Sequence, residues 1–418
     1  MKLVFRLLSC CLLVLGGWQI AAAQTTVTIE YPYPDLFNSV HETIIEKFEA
    51  QHPDIKVKIR TTYENYEDGT QKVLRQAMTN TLPDITFQGL NRFRAFVDRG
   101  IAKPLDSFID AEKDFGAKGF HAGMFSAGQF GDHIYALPFA ISLPIAYYNM
   151  DLAKKVGYTK ETLPKTWAEV FEFAAKVHSL GDTTYGMYFD YGITGNWLWQ
   201  ALNFSQGGKM LTSDEKQVAF NGPVGQWSIK MFADMFDKGK QPNRSRKASR
   251  TDFVTGSTGV YFTSTSSVAK LTENIGGTFE LVTAKFPSVK ADGQLPAGGN
   301  GPLIVAKSPK QQAAAWEVLK FWCGPVGSEV VARQTGYMPP NQLAVKNLQE
   351  FYAKNPNNLT AVQSLPHMTG WYAFPGANGL KITDVIFDGM DSIATGKSKN
   401  PEKILAQMAT DVQNLLPR

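Results

Sequence analysis

The run Leu-Pro-Phe-Ala-Ile-Ser-Leu-Pro-Ile-Ala-Tyr-Tyr-Asn-Met-Asp, residues 137–151, constrains the fold more than any other stretch. It is apolar and rich in β-branched and aromatic residues, which predicts a buried strand. Pro138 and Pro144 cannot donate to a sheet ladder, so one unbroken central strand is excluded. An edge strand with proline bulges fits the pattern. So does a strand bent or broken where the chain crosses between two lobes. In that second reading Ser142 looks into a cleft.

The chain opens like an exported protein. Lys2 and Arg6 precede the apolar segment Leu7–Gly17, and Ala21-Ala22-Ala23 supplies small residues for cleavage. Residues 1–23 are expected to be a signal peptide, too short and interrupted to span a bilayer. The mature chain keeps only Cys323, which excludes a disulfide framework and a thiolate metal site. Its length predicts about two domains built on ordinary cores. Lys and Arg number 42 against 38 Asp and Glu, a near balance that gives no argument for nucleic acid. Residues 238–250 alone stand out, with six basic side chains and no acidic one. They read as a solvated loop or as a docking patch for a partner or an anionic surface.

The first third alternates strand and helix. Thr26–Tyr31 reads as a strand, Asp35 or Asn38 can cap a helix to about Gln51, and Ile55–Thr61 alternates as a half-solvated strand. A helix at Tyr66–Asn80 and a short strand at Pro83–Phe87 follow. This order predicts an α/β lobe with a largely parallel sheet. Such sheets bind ligands beyond the carboxyl ends of their strands. Those ends carry Tyr33, Tyr66, Gln88 and Asn91, residues suited to hydroxyl recognition.

Further on, Thr166 and Glu169 form a capping-box pair at the start of a helix. A strand over Thr184–Phe189 ends at Asp190. Trp197 and Trp199 offer faces on which a sugar ring can stack, or simply core bulk. Thr263–Ser267 places five consecutive hydroxyls ahead of a helix near Val268, a donor-rich turn in which Ser264 and Ser266 are candidates. Strands are expected at Phe279–Phe286 and Pro302–Ala306, and a proline-bound crossover at Thr335–Asn341.

Enzyme motifs fare poorly. His41-Glu42-Thr43-Ile44-Ile45 has Ile where a zinc protease needs its second histidine, and the six histidines show no ligand spacing. Ser267–Lys270 matches Ser-x-x-Lys, but Gln334-Thr335-Gly336 lacks the lysine that must accompany it. No phosphate-cradling Gly-Lys-Ser/Thr occurs. No metal site, catalytic residue or cofactor is expected. A secreted glycoside hydrolase or lyase, which needs two facing carboxylates, is the alternative class.

Several pieces coincide in order. They are Leu-Pro-Phe-x-x-Ser-x-Pro-x-x-Tyr-Tyr-Asn-x-Asp at 137–151, Leu-Pro-Lys-Thr-Trp at 163–167, Phe-x-x-Gly at 253–256 and Gly298-Gly299. Lys-Phe-Trp at 320–322, Gln-Thr-Gly-Tyr-Met-Pro at 334–339 and Thr-Gly-Lys at 395–397 complete them. Together they resemble the family 1 extracellular solute-binding proteins of ABC importers, most nearly the glycerol 3-phosphate branch.

The resemblance implies a two-lobed, type II periplasmic-binding-protein fold, with ligand in the interlobe cleft and three hinge crossovers. These map near 138–144, 283–287 and 334–341. The implied lobes are 24–138 with 286–334, and 139–285 with 335–418. The implied protein is a periplasmic monomer that delivers a carbohydrate-like solute to membrane permease subunits. The implied contacts are Tyr66, Ser142, Ser264 or a neighbour, Gly299 and Tyr337. Two positions depart from the branch. Its acidic residue falls on Leu90, and its phosphate-binding arginine falls near Thr383, with Lys381 adjacent. A lysine only partly replaces a bidentate guanidinium, so a neutral sugar, polyol or glycoside is expected over glycerol 3-phosphate or a glycerophosphodiester.

Overall fold

The parallel core of the first unit follows from its hydrophobic patterning. Strand β1 (Thr25–Pro32) pairs in parallel with β2 (Ile55–Tyr63) on one side and with β3 (Ile85–Gly89) on the other. β2 alternates buried Ile55 and Val57 with exposed Lys56 and Lys58, as an edge strand with one wet face should. β3 is buried throughout and lies centrally. The computed structural model describes residues 24–120, 122–125 and 127–417; the expected signal peptide, residues 1–23, lies outside the described residues.

Helix α1 (Pro34–Gln51) lays Phe37, Val40, Ile44 and Phe48 on this sheet. Its start differs from expectation. Neither Asp35 nor Asn38 caps it; Asn38 instead accepts a hydrogen bond of 2.7 Å from the Tyr31 hydroxyl. Tyr33 takes the cap position in the left-handed region (φ 57°, ψ 62°), and Pro34, whose ring presets helical φ, opens the first turn. A non-glycine residue held there costs about 1–2 kcal/mol, so the surrounding packing must over-determine it. Helix α2 (Tyr66–Thr79) follows β2, and α3 (Phe93–Val97) follows β3.

The Leu137–Asp151 run resolves into two strands. β4 (Ala140–Ser142) belongs to the first sheet and β5 (Pro144–Asn149) to the second, with Leu143 alone between them. Pro144, which has no N–H to offer, is the first residue of β5. Thr265 holds the junction from both sides. Its hydroxyl accepts from the Leu143 N–H at 3.2 Å, and its own N–H donates to the Leu143 carbonyl at 3.1 Å.

The second sheet is completed by β6 (Tyr185–Phe189), β7 (Thr258–Ser264) and β8 (Leu281–Lys285), in the order β8-β5-β7-β6. Around it pack α4 (Trp167–His178), α5 (Trp197–Phe204), α6 (Pro223–Asp237), α7 (Arg246–Val254) and α8 (Val268–Ile275). The expected capping box opens α4, with both Thr166 and Glu169 side chains engaged. The chain then returns as β9 (Gly298–Ile304), antiparallel to β3 and β4, so the first sheet reads β2-β1-β3-β9-β4. Helices α9 (Pro309–Cys323) and α10 (Pro325–Gln334) cover it, and α11 (Gly379–Ala394) and α12 (Pro401–Leu415) pack beside α6.

The passages between sheets are displaced from the expected boundaries, each for a visible reason. The first falls at Leu143 rather than 138, because β4 still pairs with β9. Residues 286–297 remain with the second unit, since Phe286 packs on Trp167 and Phe189, and Leu295–Pro296 pairs with Met368–Thr369. Residues beyond 334 remain with the first unit. Met338 exchanges backbone hydrogen bonds with Ile141, and Asn341 donates to the Lys118 carbonyl at 3.0 Å. Contact with the second sheet resumes at Asn357, which donates to the Leu281 carbonyl and accepts from Thr283.

His41 sits in the core between α1 and the sheet, 1% exposed, ringed by Tyr31, Phe87 and Phe139. Its Nδ1 accepts from Trp322 Nε1 at 2.9 Å, so the ring is held neutral. Burial pushes its pKa down to about 3. The unfolded chain would protonate it near 6.5, so acid favours unfolding throughout the window from about 6.5 to about 3. Between pH 6.5 and 5 this group alone should remove about 2 kcal/mol, at 1.36 kcal/mol per unit. Urea denaturation of wild type and His41→Gln at pH 7 and pH 5 checks this. The variant, which keeps an acceptor for Trp322, should be weaker at pH 7 but lose about 2 kcal/mol less on acidification.

Candidate functional site

Where the sheets meet, a cavity of about 420 Å³ opens, lined by residues of both units. The first unit contributes aromatic hydroxyls. Tyr33 meets Tyr66 edge-on at 5.0 Å. The Tyr66 hydroxyl accepts from Asn300 Nδ2 at 3.2 Å and lies 3.5 Å from the Tyr337 hydroxyl. Burial raises the pKa of all three phenols, so each remains a protonated donor at neutral pH.

Glycines shape the same wall. A Cβ on Gly298 would lie 2.7 Å from Ser142 Oγ and 2.9 Å from the Trp197 ring. At Gly299, φ is +119° and a Cβ would meet the Ala140 carbonyl oxygen at 1.9 Å, so only glycine fits. Ser142, the last residue of β4, is 2% exposed and lines the cavity. Its hydroxyl has no hydrogen-bond partner among the described residues.

The second unit supplies the Ser264–Ser267 turn. Ser264 Oγ accepts from the N–H and the hydroxyl of Ser266 at 3.1 and 2.8 Å. The Ser264 carbonyl takes the Tyr147 hydroxyl at 2.6 Å. Trp197, anchored by Nε1 to the Pro296 carbonyl at 3.0 Å, stands 6.2 Å from Trp371, centroid to centroid. Trp199 faces the core against Phe220 instead.

Arg246 and Arg250 enter from α7, one turn apart. Arg246 Nε lies 2.8 and 2.9 Å from the two oxygens of the wholly buried Asp190. Asp190 also accepts from the hydroxyls of Thr263 (2.9 Å) and Tyr261 (3.3 Å). The Asp190 charge holds the Arg246 guanidinium above its ordinary pKa.

Eight of the thirteen expected residues therefore border one cavity: Tyr33, Tyr66, Ser142, Trp197, Ser264, Ser266, Gly299 and Tyr337. Five do not. Gln88 points away toward α2, accepting from Thr70 and donating to Thr86. Asn91 and Thr383 border a separate recess of about 60 Å³. There Thr383 accepts from Arg92 at 3.4 Å. Lys381 is exposed, on the outer side of α11, whose inner face carries Ile382, Thr383 and Ile386. Asp190 stands behind Arg246 rather than at the cavity wall.

The reading of the basic segment as a solvated loop is also corrected, because its last five residues begin a helix that faces the cavity. The four-residue spacing of Arg246 and Arg250 was the available signal. Trp371 was missed as well; its loop, Thr-Gly-Trp-Tyr-Ala-Phe-Pro-Gly, matches no periodic template.

Residues 43–361 match the family model of bacterial extracellular solute-binding proteins. The sn-glycerol-3-phosphate-binding periplasmic protein UgpB of Escherichia coli K12 is 24% identical over 424 aligned positions, covering 95% of this chain and 94% of that protein. Among solved structures, UgpB from Mycobacterium tuberculosis in complex with glycerophosphocholine superposes with a TM-score of 0.82 at 21% identity, covering 93% of this chain and 98% of that one. Maltose-bound MalE3 of T. maritima gives 0.79 at 19% identity, covering 94% and 100%. The similarity to both structures supports a type II periplasmic-binding-protein fold.

Asp190 holds one cavity wall in place through three partners. Asp190→Asn keeps the shape but removes the charge facing Arg246. A loss of about 2 kcal/mol is expected, below the range for a fully buried pair because the Arg246 side chain is 47% exposed. Denaturant unfolding at neutral pH checks this; an unchanged midpoint would show that the pair contributes nothing.

Proposed function

This chain belongs to the bacterial extracellular solute-binding proteins, and on that premise we propose that the 420 Å³ cavity captures a carbohydrate-like solute for an ABC importer. The observation that carries this reading is the composition of the cavity wall. Two tryptophans offer apolar faces to a sugar or polyol, while Tyr66, Tyr337, Ser142 and Ser264 offer hydroxyls around it. Structurally similar proteins bind sugars, maltose in one case, which supports the carbohydrate reading.

Both units reach the solute, so binding stabilises the arrangement in which they are closed. Polar contacts across the junction support that arrangement. Arg94 holds Glu215 through two bonds of 2.7 Å, and the Tyr372 hydroxyl adds a third at 2.9 Å. The lobes in this reading are residues 24–142 with 298 to about 348, and the remainder to 417, pivoting near Leu143. Residues 1–23 direct the chain to the periplasm, where it acts as a monomer and hands its cargo to the permease. Turnover is not part of the reading. The two carboxylates at the cavity, Asp35 and Glu64, are both exposed residues of the first unit and do not flank a buried bond.

A second reading, capture of glycerol 3-phosphate or a glycerophosphodiester, is favoured by the guanidinium of Arg250 at the wall. Thermal unfolding with a panel of sugars, polyols and their phosphate esters tests capture as such. A bound member at one hundred times its Kd should add about 2.7 kcal/mol of stability and change the emission of Trp197 and Trp371. A flat response across the panel, or hydrolysis of a chromogenic glycoside, would sink the reading.

A further inference from the structure

We infer that Arg94 and Glu215, which lie outside the cavity, form a clasp that holds the two units closed and keeps Trp371 at the cavity wall. Arg94 is thus a positioning residue for capture, and the inference rests on the capture reading above.

Of the ion pairs among the described residues, only this one joins the two units. Its geometry is the strong form of such a contact. Nη1 and Nη2 of Arg94 each reach a different oxygen of the Glu215 carboxylate, both at 2.7 Å. Neither residue lines the cavity. Both side chains are partly buried, so salt and water screen the pair less than they screen one on an open surface. The hydrogen bonds from Arg94 hold the Glu215 carboxyl below its ordinary range, so the pair is charged at neutral pH.

The local backbone presents Glu215 to its partner. It sits on the tight turn between Leu211 and Val218, which bridge one another in antiparallel fashion. Its φ is 57°, a conformation that a non-glycine residue keeps only where its surroundings impose it. Those surroundings are visible on both sides of the turn. Within it, the Thr212 hydroxyl donates to Asp214 at 2.6 Å. From outside, Gln413 of α12 donates to the Lys216 carbonyl at 2.8 Å and accepts from the Val218 N–H at 2.9 Å. The turn therefore meets Arg94 as a braced finger of the second unit.

The clasp is tied to the cavity through one residue of the chain. The Tyr372 hydroxyl donates to Glu215 at 2.9 Å. The Tyr372 backbone is pinned by the wholly buried Gln200, which accepts from its N–H at 3.0 Å and donates to its carbonyl at 3.1 Å. The preceding residue is Trp371, which lines the cavity between Trp197 of the second unit and Tyr66 of the first. Their ring centroids lie 6.2 and 6.5 Å from its own. Separating the units breaks the Arg94 contact and draws Tyr66 away from Trp371 in the same movement. The apparent Kd of a solute that needs both walls is its intrinsic Kd divided by the closed fraction. A contact outside the cavity therefore sets affinity.

Glu215→Gln keeps an acceptor for Tyr372 and removes the charge. Arg94→Gln removes the other charge, and Arg94→Lys keeps a charge but loses the two-pronged geometry. Glu172→Gln, which breaks an ion pair inside α4, is the control. Small-angle X-ray scattering without solute should give Glu215→Gln and Arg94→Gln a larger radius of gyration than wild type. Arg94→Lys should fall between, and Glu172→Gln should match wild type. In calorimetry with maltose, glycerol, glycerophosphocholine and sn-glycerol 3-phosphate, any probe that binds wild type should bind both Gln variants of the clasp at least about fivefold more weakly. Melting temperatures without solute confirm that each variant is folded. Equal radii in wild type and both clasp variants, or an unchanged Kd, would overturn the inference and leave the capture reading standing. If no probe binds wild type, the capture reading falls and the scattering comparison alone decides the clasp.

Discussion

Two hydrogen bonds between Leu143 and Thr265 hold the point at which one strand becomes two. With a single residue between β4 and β5, the sheets cannot drift apart at this edge, and the space beside it has a defined floor. Ser142 ends one strand and Ser264 ends another, so both serines are delivered there by ladder register rather than by loop conformation. Pro144 contributes by omission, since a residue without an N–H can start β5 at the junction without leaving a donor unpaired. The aromatic wall and the α7 arginines are then placed relative to that floor.

Electrostatics at the cavity is organised in depth. Asp190 is wholly buried yet has three side-chain partners, so its charge is answered in the manner that buried charges require. It fixes Arg246 and ties β6 to β7 through Thr263 and Tyr261. The next turn of α7 then presents Arg250 without such an answer. Two arginines four residues apart thus have different physical roles, and the difference lies in what stands behind each one rather than in the residue type.

Much of this was legible from sequence where pattern and period agree. The α/β alternation, the edge character of β2 and the capping box at Thr166 are local, and each followed from spacing. The double-proline run pointed to a broken strand, and the chain does change sheets there, although β4 extends the first sheet to Ser142 and Pro138 lies outside the break. The eight cavity residues that were identified sit at strand ends or in the motif-bearing segments. The others lie away from this cavity for particular reasons. Gln88 is on the opposite face of its strand, a matter of period-two register that the sequence of a wholly buried strand does not reveal. Lys381 and Thr383 were placed by correspondence with a helix whose inward face turned out to lead to another recess. Arg250 was hidden in a basic stretch that looked like a solvated loop, because its helix has few apolar residues to mark a buried face. The cap of α1 was misassigned since Tyr33 adopts a conformation that ordinary capping preferences disfavour.

The glycines at 298 and 299 act through what they lack. Their missing side chains are part of the cavity's outline, as the hollow of a mould is part of a casting. Neither offers a side-chain donor, acceptor or charge. A single methyl group at Gly298 would press on Ser142 and Trp197 together, shrinking the space and turning its polar lining at one stroke. Space at this wall is therefore set by residues that carry no polar side chain, and any substitution at Gly298 narrows it without replacing a polar residue.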